Sequence, residues 1–217
     1  MKRLLLTVCL VTACVAVPPK IVRPCHVKNK ECLRENLAAN SACKPRYGSV
    51  PSQYKIPVFK FYTPYFNATY IDHDLVIRNH DKCAVSEFFY NMASDTAVLS
   101  LDCPLLRLES TRTLIQHASK AENTQYSFKF HGTYPLIRLT INLNHANSLD
   151  LCSSFTFADV TALPIFDINP TDVKTAKFLS TDLTLMNIYE RETFSYRANQ
   201  LARKYINTEI CDFGCDA

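Results

Sequence analysis

The chain has 217 residues, 47% of them hydrophobic and 20% charged, with a formal charge of +4. That is one domain's worth of chain with enough apolar surface for a core, and neither the charge nor any basic run points to nucleic acid or an anionic membrane as partner. Its three glycines, Gly48, Gly132 and Gly214, exclude the glycine repeats of collagen and stacked fibre sheets.

Residues 1–16 carry a basic pair, Lys2 and Arg3, then an apolar run from Leu4 through Val11, then small residues before a cleavage point after Ala16. This order is that of a secretory signal peptide. No later segment approaches the ~20 apolar residues that span a bilayer. The expected mature product is therefore a secreted single domain, residues 17–217, with no membrane anchor. Loss of Lys2 and Arg3 leaves 22 basic residues against 20 acidic. Cys9 and Cys14 leave with the signal, and eight cysteines remain: Cys25, Cys32, Cys43, Cys83, Cys103, Cys152, Cys211 and Cys215. An even number in a secreted chain reads as up to four disulfides. Sequence alone does not pair them, although the Cys25–Cys32 spacing suits a local bridge and Cys211 and Cys215 are placed to tie down the tail.

After an extended leader, residues 24–43 read as a short helix with Asn29 as its cap and Glu31, Leu33, Leu37 and Ala38 compatible with one and a half to two turns. Residues 43–51, with Pro45, Gly48 and Pro51, read as a loop. From Ile56 to Phe157 the chain reads as successive strands. Residues 56–79 give two extended segments around a Pro-containing corner. In the second, Ile71, Leu75 and Ile77 are expected on one face, with His73, and Asp72, Asp74 and Arg78 on the other. Residues 83–92 place Val85 and Phe89 together, opposite Ala84, Phe88 and Tyr90. Ala97, Leu99 and Leu101 alternate with Val98, Ser100 and Asp102; Tyr126, Phe128 and Phe130 alternate with Ser127, Lys129 and His131. Ile137, Leu139, Ile141 and Leu143 form the cleanest alternation, and Leu149, Leu151, Phe155 and Phe157 continue it. Short polar linkers favour antiparallel connections.

Past Pro164 the period becomes helical. Asn169-Pro170, with Asp172 behind it, reads as a helix start. A second helix is expected over residues 182–207, with Phe194, Ala198, Leu201 and Tyr205 on its buried stripe and Arg191, Glu192, Arg203 and Lys204 on a solvated face. The fold class that follows is α+β: a curved antiparallel sheet packed around a long C-terminal helix, with a short N-terminal helix and disulfide staples.

No catalytic constellation accompanies these elements. His73 with Asp72, Asp74, His80 and Asp81 does not converge on one ion, because alternate strand residues face apart. There is no HExxH, EF-hand loop or GxSxG. Asp212-Phe213-Gly214 matches a kinase triplet by letters only, between two cysteines at the chain's end. No metal, cofactor or enzymatic activity is expected. Asn67-Ala68-Thr69 is a glycosylation sequon, whereas Asn169 is blocked by Pro170. Phe59, Phe61, Tyr62, Tyr65, Phe66 and Tyr70 cluster around that sequon. Most are expected in the core and some on a partner-binding surface.

Long blocks of the chain resemble the fibrohexamerin family of moth silk glycoproteins. They include PCHVKNKECLRENLAANSAC, VPSQYKIPVFKFYTPYFNATYIDHDLVIRNHDKC, TYPLIRLT, LCSSFTFADVTALPIF, DLTLMNIYERE and the terminal ICDFGC, running from Pro24 to Cys215. The resemblance implies a silk-gland glycoprotein, secreted into the gland lumen and bound non-covalently to disulfide-linked fibroin heavy and light chains, supporting their assembly, solubility and secretion. It also implies a glycan at Asn67. Further sequons of the family would fall near Thr111-Arg112-Thr113 and His131-Gly132-Thr133, where this chain keeps the threonine and lacks the asparagine. The Cys-x6-Cys, the strand run and the late helix are also similar, more weakly, to the juvenile-hormone-binding and takeout group. That similarity implies a bent sheet wrapped around a helix as a lipid tube, and as the alternative function a carrier of a small apolar ligand.

Overall fold

The computed structural model describes residues 19–22, 24–118, 121–180 and 183–215, with residues 183–189, 191 and 192 described by their backbone alone. The proposed signal peptide, residues 1–16, lies outside the described residues. In chain order the elements are α1 (Lys30–Ala39), β1 (Lys44–Pro45), β2 (Gln53–Thr63), β3 (Ala68–Arg78), a short 3-10 turn (His80–Lys82), β4 (Ala84–Asn91), β5 (Thr96–Gln116), β6 (Thr124–Asn144), β7 (Thr156–Val160), β8 (Ile165–Pro170), α2 (Val173–Ser180), α3 (Leu183–Glu209) and β9 (Cys211–Asp212).

The antiparallel pair β5–β6 is the spine, holding one register from Thr96 opposite Asn144 to Gln116 opposite Thr124. The sheet runs β2-β3-β5-β6-β7, with β4 added to the first half of β5 and β8 to the first half of β6. Apolar alternation explains which face turns inward. Ala97, Leu99, Leu101 and Cys103 are buried, as are their partners Leu143, Ile141, Leu139 and Ile137. Between the Pro104–Leu136 and Leu106–Tyr134 pairs both strands exchange faces without losing register. Leu105, at φ +51, marks the place, and beyond it Leu106, Leu108, Ser110, Arg112 and Leu114 point inward. The chain therefore curls around α3, whose Phe194, Ala198, Leu201 and Tyr205 are buried as its stripe requires. Thr156 of β7 donates its N–H to Asn199 Oδ1 of α3 at 2.7 Å, and Tyr196 of α3 stacks on Phe61 of β2. The helix thus contacts both edges of the sheet. A curved antiparallel sheet around a long C-terminal helix is the expected architecture.

Asn29 caps α1 as read, accepting the Cys32 N–H at 3.1 Å, and Cys25–Cys32 is bridged. Two long-range bridges join Cys43 to Cys211, and so β1 to β9, and Cys83 to Cys103. The tail is thus tied by Cys211 alone, while Cys152 and Cys215 carry thiols.

Several phases differ from the sequence reading. In β3 the register shifts between His73 and Val76 at a bulge where Asp74 takes φ +55. Ala68, Tyr70 and Asp72 are inward before it, Leu75 and Ile77 after it, so Asp72 is buried and Ile71 leaves the inner face. A shift between Val85 and Glu87 likewise puts Val85 and Phe88 inside and leaves Phe89 exposed. Residues 104–116, for which the sequence reading assigned no face, extend β5. Leu149 and Leu151 are buried in a loop, while Phe155, just before β7, and Phe157 on it are exposed. Asn169 and Pro170 end β8, opposite Lys129 and Phe128, and the helix begins three residues later with Asp172 accepting the Thr175 N–H at 2.7 Å. Arg203 turns back to the Cys152 carbonyl rather than into solvent.

Candidate functional site

Two sites of opposite character meet at the β2–β3 hairpin. The first is its tip. Asn67 closes the turn at φ +45, a left-handed position that asparagine tolerates, with its N–H donating to the Pro64 carbonyl at 3.1 Å. Its side chain is exposed: Oδ1 accepts from the Tyr62 hydroxyl at 2.9 Å and Nδ2 donates to the His117 carbonyl at 3.1 Å. Thr69 Oγ1 meets His117 Nε2 at 2.8 Å. Asn67 therefore faces outward, while Ala68 and Thr69 of the sequon are buried.

Of the six aromatics around it, Phe61 and Tyr70 are buried and Phe59 and Phe66 are half-buried against the core, while Tyr62 and Tyr65 are exposed, Tyr65 at 83%. Period 2 along β2 and β3 produces this split. The structure adds three rings that sequence reasoning placed in the core or passed over: Phe155 and Phe157, edge-to-face at 4.9 Å, and the partly exposed Tyr196. A groove of about 390 Å³ runs between hairpin tip, β7 and α3, lined by Thr63, Tyr65, Phe155, Ser195, Tyr196 and Asn199. The open edge of β2 carries Lys55, Pro57 and Lys60, all exposed. Charges and a proline deny that edge to strand addition.

The second site is inside, and sequence reasoning missed it. Asp72 of β3 accepts from Arg112 Nε at 2.7 Å and Ser110 Oγ at 2.9 Å on one oxygen, and from Arg197 Nη2 of α3 at 3.0 Å on the other. Glu190 of α3 accepts from Arg112 Nη1 and from the Tyr134 hydroxyl, and its second oxygen lies 3.8 Å from Arg197. All four charged groups are at most 2% exposed. Two acids and two guanidiniums make a neutral quartet, and rings complete its walls: Phe130 lies 3.9 Å from the Arg112 guanidinium carbon, and Phe61 5.0 Å from that of Arg197. Burial opposes the charge on Asp72, but the two arginines override it and hold the carboxyl well below the usual carboxylate range. Burial lifts the Tyr134 phenol far above its ordinary value, keeping it a hydrogen-bond donor. Glu190 and Arg197 fall on the stripe of Phe194 and Ala198 at helical spacing, which was the available signal. Asp72 was hidden by the bulge.

Beside Glu190 lies an internal void of about 50 Å³, walled by Tyr70, Leu114, Phe128, Phe178 and Leu179 among others. Small-molecule sites commonly measure ~300–1,000 Å³. Among the described residues no group of three or more His, Cys, Asp or Glu is arranged to hold a metal, and no helix is long and apolar enough to cross a membrane.

The fibroin P25 family model matches residues 21–215. The chain belongs to the fibroin P25 family. A fibrohexamerin of Galleria mellonella is 59% identical over 207 residues, covering 94% of this chain and 95% of that protein. Takeout 1 of Epiphyas postvittana shares the fold, with a TM-score of 0.50 at 9% identity over 83% of this chain and 89% of that one. This chain and that takeout protein therefore share a fold, and here a charge quartet occupies part of the interior.

Proposed function

We propose that this protein is a secreted silk-gland glycoprotein that associates non-covalently with fibroin heavy and light chains and supports their assembly, solubility and secretion. Its high identity to a fibrohexamerin along nearly the whole of both chains supports the reading. The observation that carries the mechanism is the rim of Tyr62, Tyr65, Tyr196, Phe155 and Phe157 beside the exposed Asn67. Such a rim offers apolar, rigid contact area to the side chains of a fibroin segment. The guarded β2 edge meanwhile keeps a β-forming partner from adding a strand, and a glycan on Asn67 keeps the adjoining surface hydrated. The reading is non-enzymatic and needs no cofactor.

Size-exclusion chromatography of native gland-lumen secretion tests it, with this chain followed by antibody and its fractions rerun under denaturing, non-reducing conditions. Elution with a very large species, from which denaturant alone frees the chain, is the expected result. Elution near the monomer mass would overturn it. The alternative, a carrier of a small apolar ligand, is favoured by the takeout-like fold. It would then be pursued by lipid extraction, against the small size of the internal void.

A further inference from the structure

Six of the eight cysteines outside the leader are bridged, and the remaining two are far apart in sequence but not in space. Cys152 lies in the loop between β6 and β7, where an Asp150 carboxylate oxygen accepts its N–H at 2.8 Å. Its Sγ donates to the carbonyl of Phe213, two residues before Cys215, at 3.6 Å, and the Cys215 Sγ in turn accepts from Asn207 Nδ2 at 3.8 Å. The tail is held in that position from the other side by Asn207 of α3. The Asn207 Oδ1 accepts the Phe213 N–H at 3.0 Å, and Nδ2 donates to the Cys215 carbonyl at 2.9 Å. Both thiols are only half-buried, so an external reagent can reach them. Burial first, and the adjoining Cys215 second, push the Cys152 thiol up to about 12.

We infer that Cys152 and Cys215 are a preset dithiol that closes into a fourth disulfide, fastening the β6–β7 loop to the C-terminal tail. The inference rests on the chain being secreted, as proposed above. The oxidant is an external disulfide, of a protein oxidoreductase or a small molecule. One of the two cysteines, as thiolate, attacks it, forms a mixed disulfide and expels one thiol. The other then attacks the protein sulfur of that mixed bond and expels the second thiol. Two protein thiols are oxidised, one external disulfide is reduced to two thiols, and the two protons end on those leaving groups. The second step is fast because the fold holds the attacking sulfur beside the same short stretch of tail as its target.

The bridge has two consequences for the proposed rim. It anchors the loop three residues before Phe155, so this ring is presented from a fixed support. It also consumes the last two thiols outside the leader, which makes the association with disulfide-linked partner chains non-covalent by construction.

The test is alkylation of the secreted, non-reduced full chain with iodoacetamide in denaturant, followed by intact mass and peptide mapping. No adduct, and one peptide pair joining Cys152 to Cys215, is the expected result. Two adducts at these positions, or either cysteine joined to another chain, would overturn the inference. Cys215→Ser should expose one stoichiometric adduct at Cys152 and produce disulfide-linked dimer on a non-reducing gel, while the Cys152→Ser/Cys215→Ser double variant should remain monomeric. A single variant free of both adduct and dimer would also count against it. Two free thiols in a chain that still elutes with a very large species would sink the bridge and leave the proposed function standing. A bridged chain eluting as a monomer would do the reverse.

Discussion

The quartet beneath β3 and the rim at the tip of the β2–β3 hairpin both set polar groups among aromatic rings, yet water reaches only one of them. Inside, Asp72, Glu190, Arg112 and Arg197 pair mainly with one another, helped by the Ser110 and Tyr134 hydroxyls, so each charge depends on its neighbours remaining in place. Outside, Tyr65 and Phe157 each meet a neighbouring ring, Phe66 and Phe155, and otherwise face solvent, so losing either should leave the fold intact. Strand alternation puts Phe61 in one environment and Tyr62 in the other. Stability is thus concentrated on one side of a single hairpin and the proposed recognition surface on the other.

The sharpest way to break this contrast is to remove one member of the quartet. Arg112→Ala should cost about 3–5 kcal/mol by leaving two buried carboxylates short of partners, seen as a fall in the urea midpoint. Replacing all four residues with apolar ones of similar volume should cost far less, because no charge is then left unpaired. An equal loss in both variants would mean that packing, not pairing, holds α3 in the sheet.

His80 tests the interior by pH. It is fully buried, its Nδ1 meets the Tyr54 hydroxyl at 2.9 Å, and burial lowers its pKa to about 4. The unfolded chain, with an ordinary histidine value of ~6.5, binds the proton first on acidification. Stability from this group is therefore complete above ~6.5 and declines as pH falls towards 4, by roughly 3 kcal/mol in all. Urea melts at pH 7.5 and 4.5 should show the decline, and His80→Gln should flatten it. An unchanged slope in the variant would assign the effect to other groups. Asp72 has the same sign at lower pH: its contribution is present above the unfolded carboxylate value of ~3.9 and is lost as pH falls towards its depressed folded value.

Asn29→Ala should cost about 1 kcal/mol by uncapping α1, a local effect between the two extremes. At the rim, Tyr65→Asp should change stability by less than ~0.5 kcal/mol. In the lumenal chromatography, however, it should move the chain from the very large species towards monomer. If Tyr65→Asp and Phe157→Asp both fold and both stay with the large species, the docking surface lies elsewhere.

Residues whose environment is set within a few positions were legible. Asn29 caps α1 because its side chain reaches the Cys32 N–H, and Cys25 and Cys32 lie close enough along the chain to bridge. Ile137 to Leu143 alternate into the core because one face of β6 is buried, and Phe194, Ala198, Leu201 and Tyr205 line one side of α3. The errors gather where phase breaks. Positive φ at Asp74 and the shift after Val85 each move the following side chains across the sheet, and a strict two-residue period cannot anticipate an extra residue. Asn169-Pro170 carries a helix-start signal, but pairing with Phe128 and Lys129 keeps the backbone extended until Asp172 can cap instead.

By itself the sequence determined the class of fold, the helical stripe, the sequon at Asn67 as a chemical possibility and, through long matching blocks, the family. Only the tertiary structure decided that Cys43 meets Cys211 across 168 residues, that Asp72 faces two arginines, and that Phe155 and Phe157 join Tyr65 at the surface. Local periodicity follows from bonds spanning a few residues. Which face of each element another element covers depends on how the whole sheet curls around α3, and no short stretch of the chain encodes that.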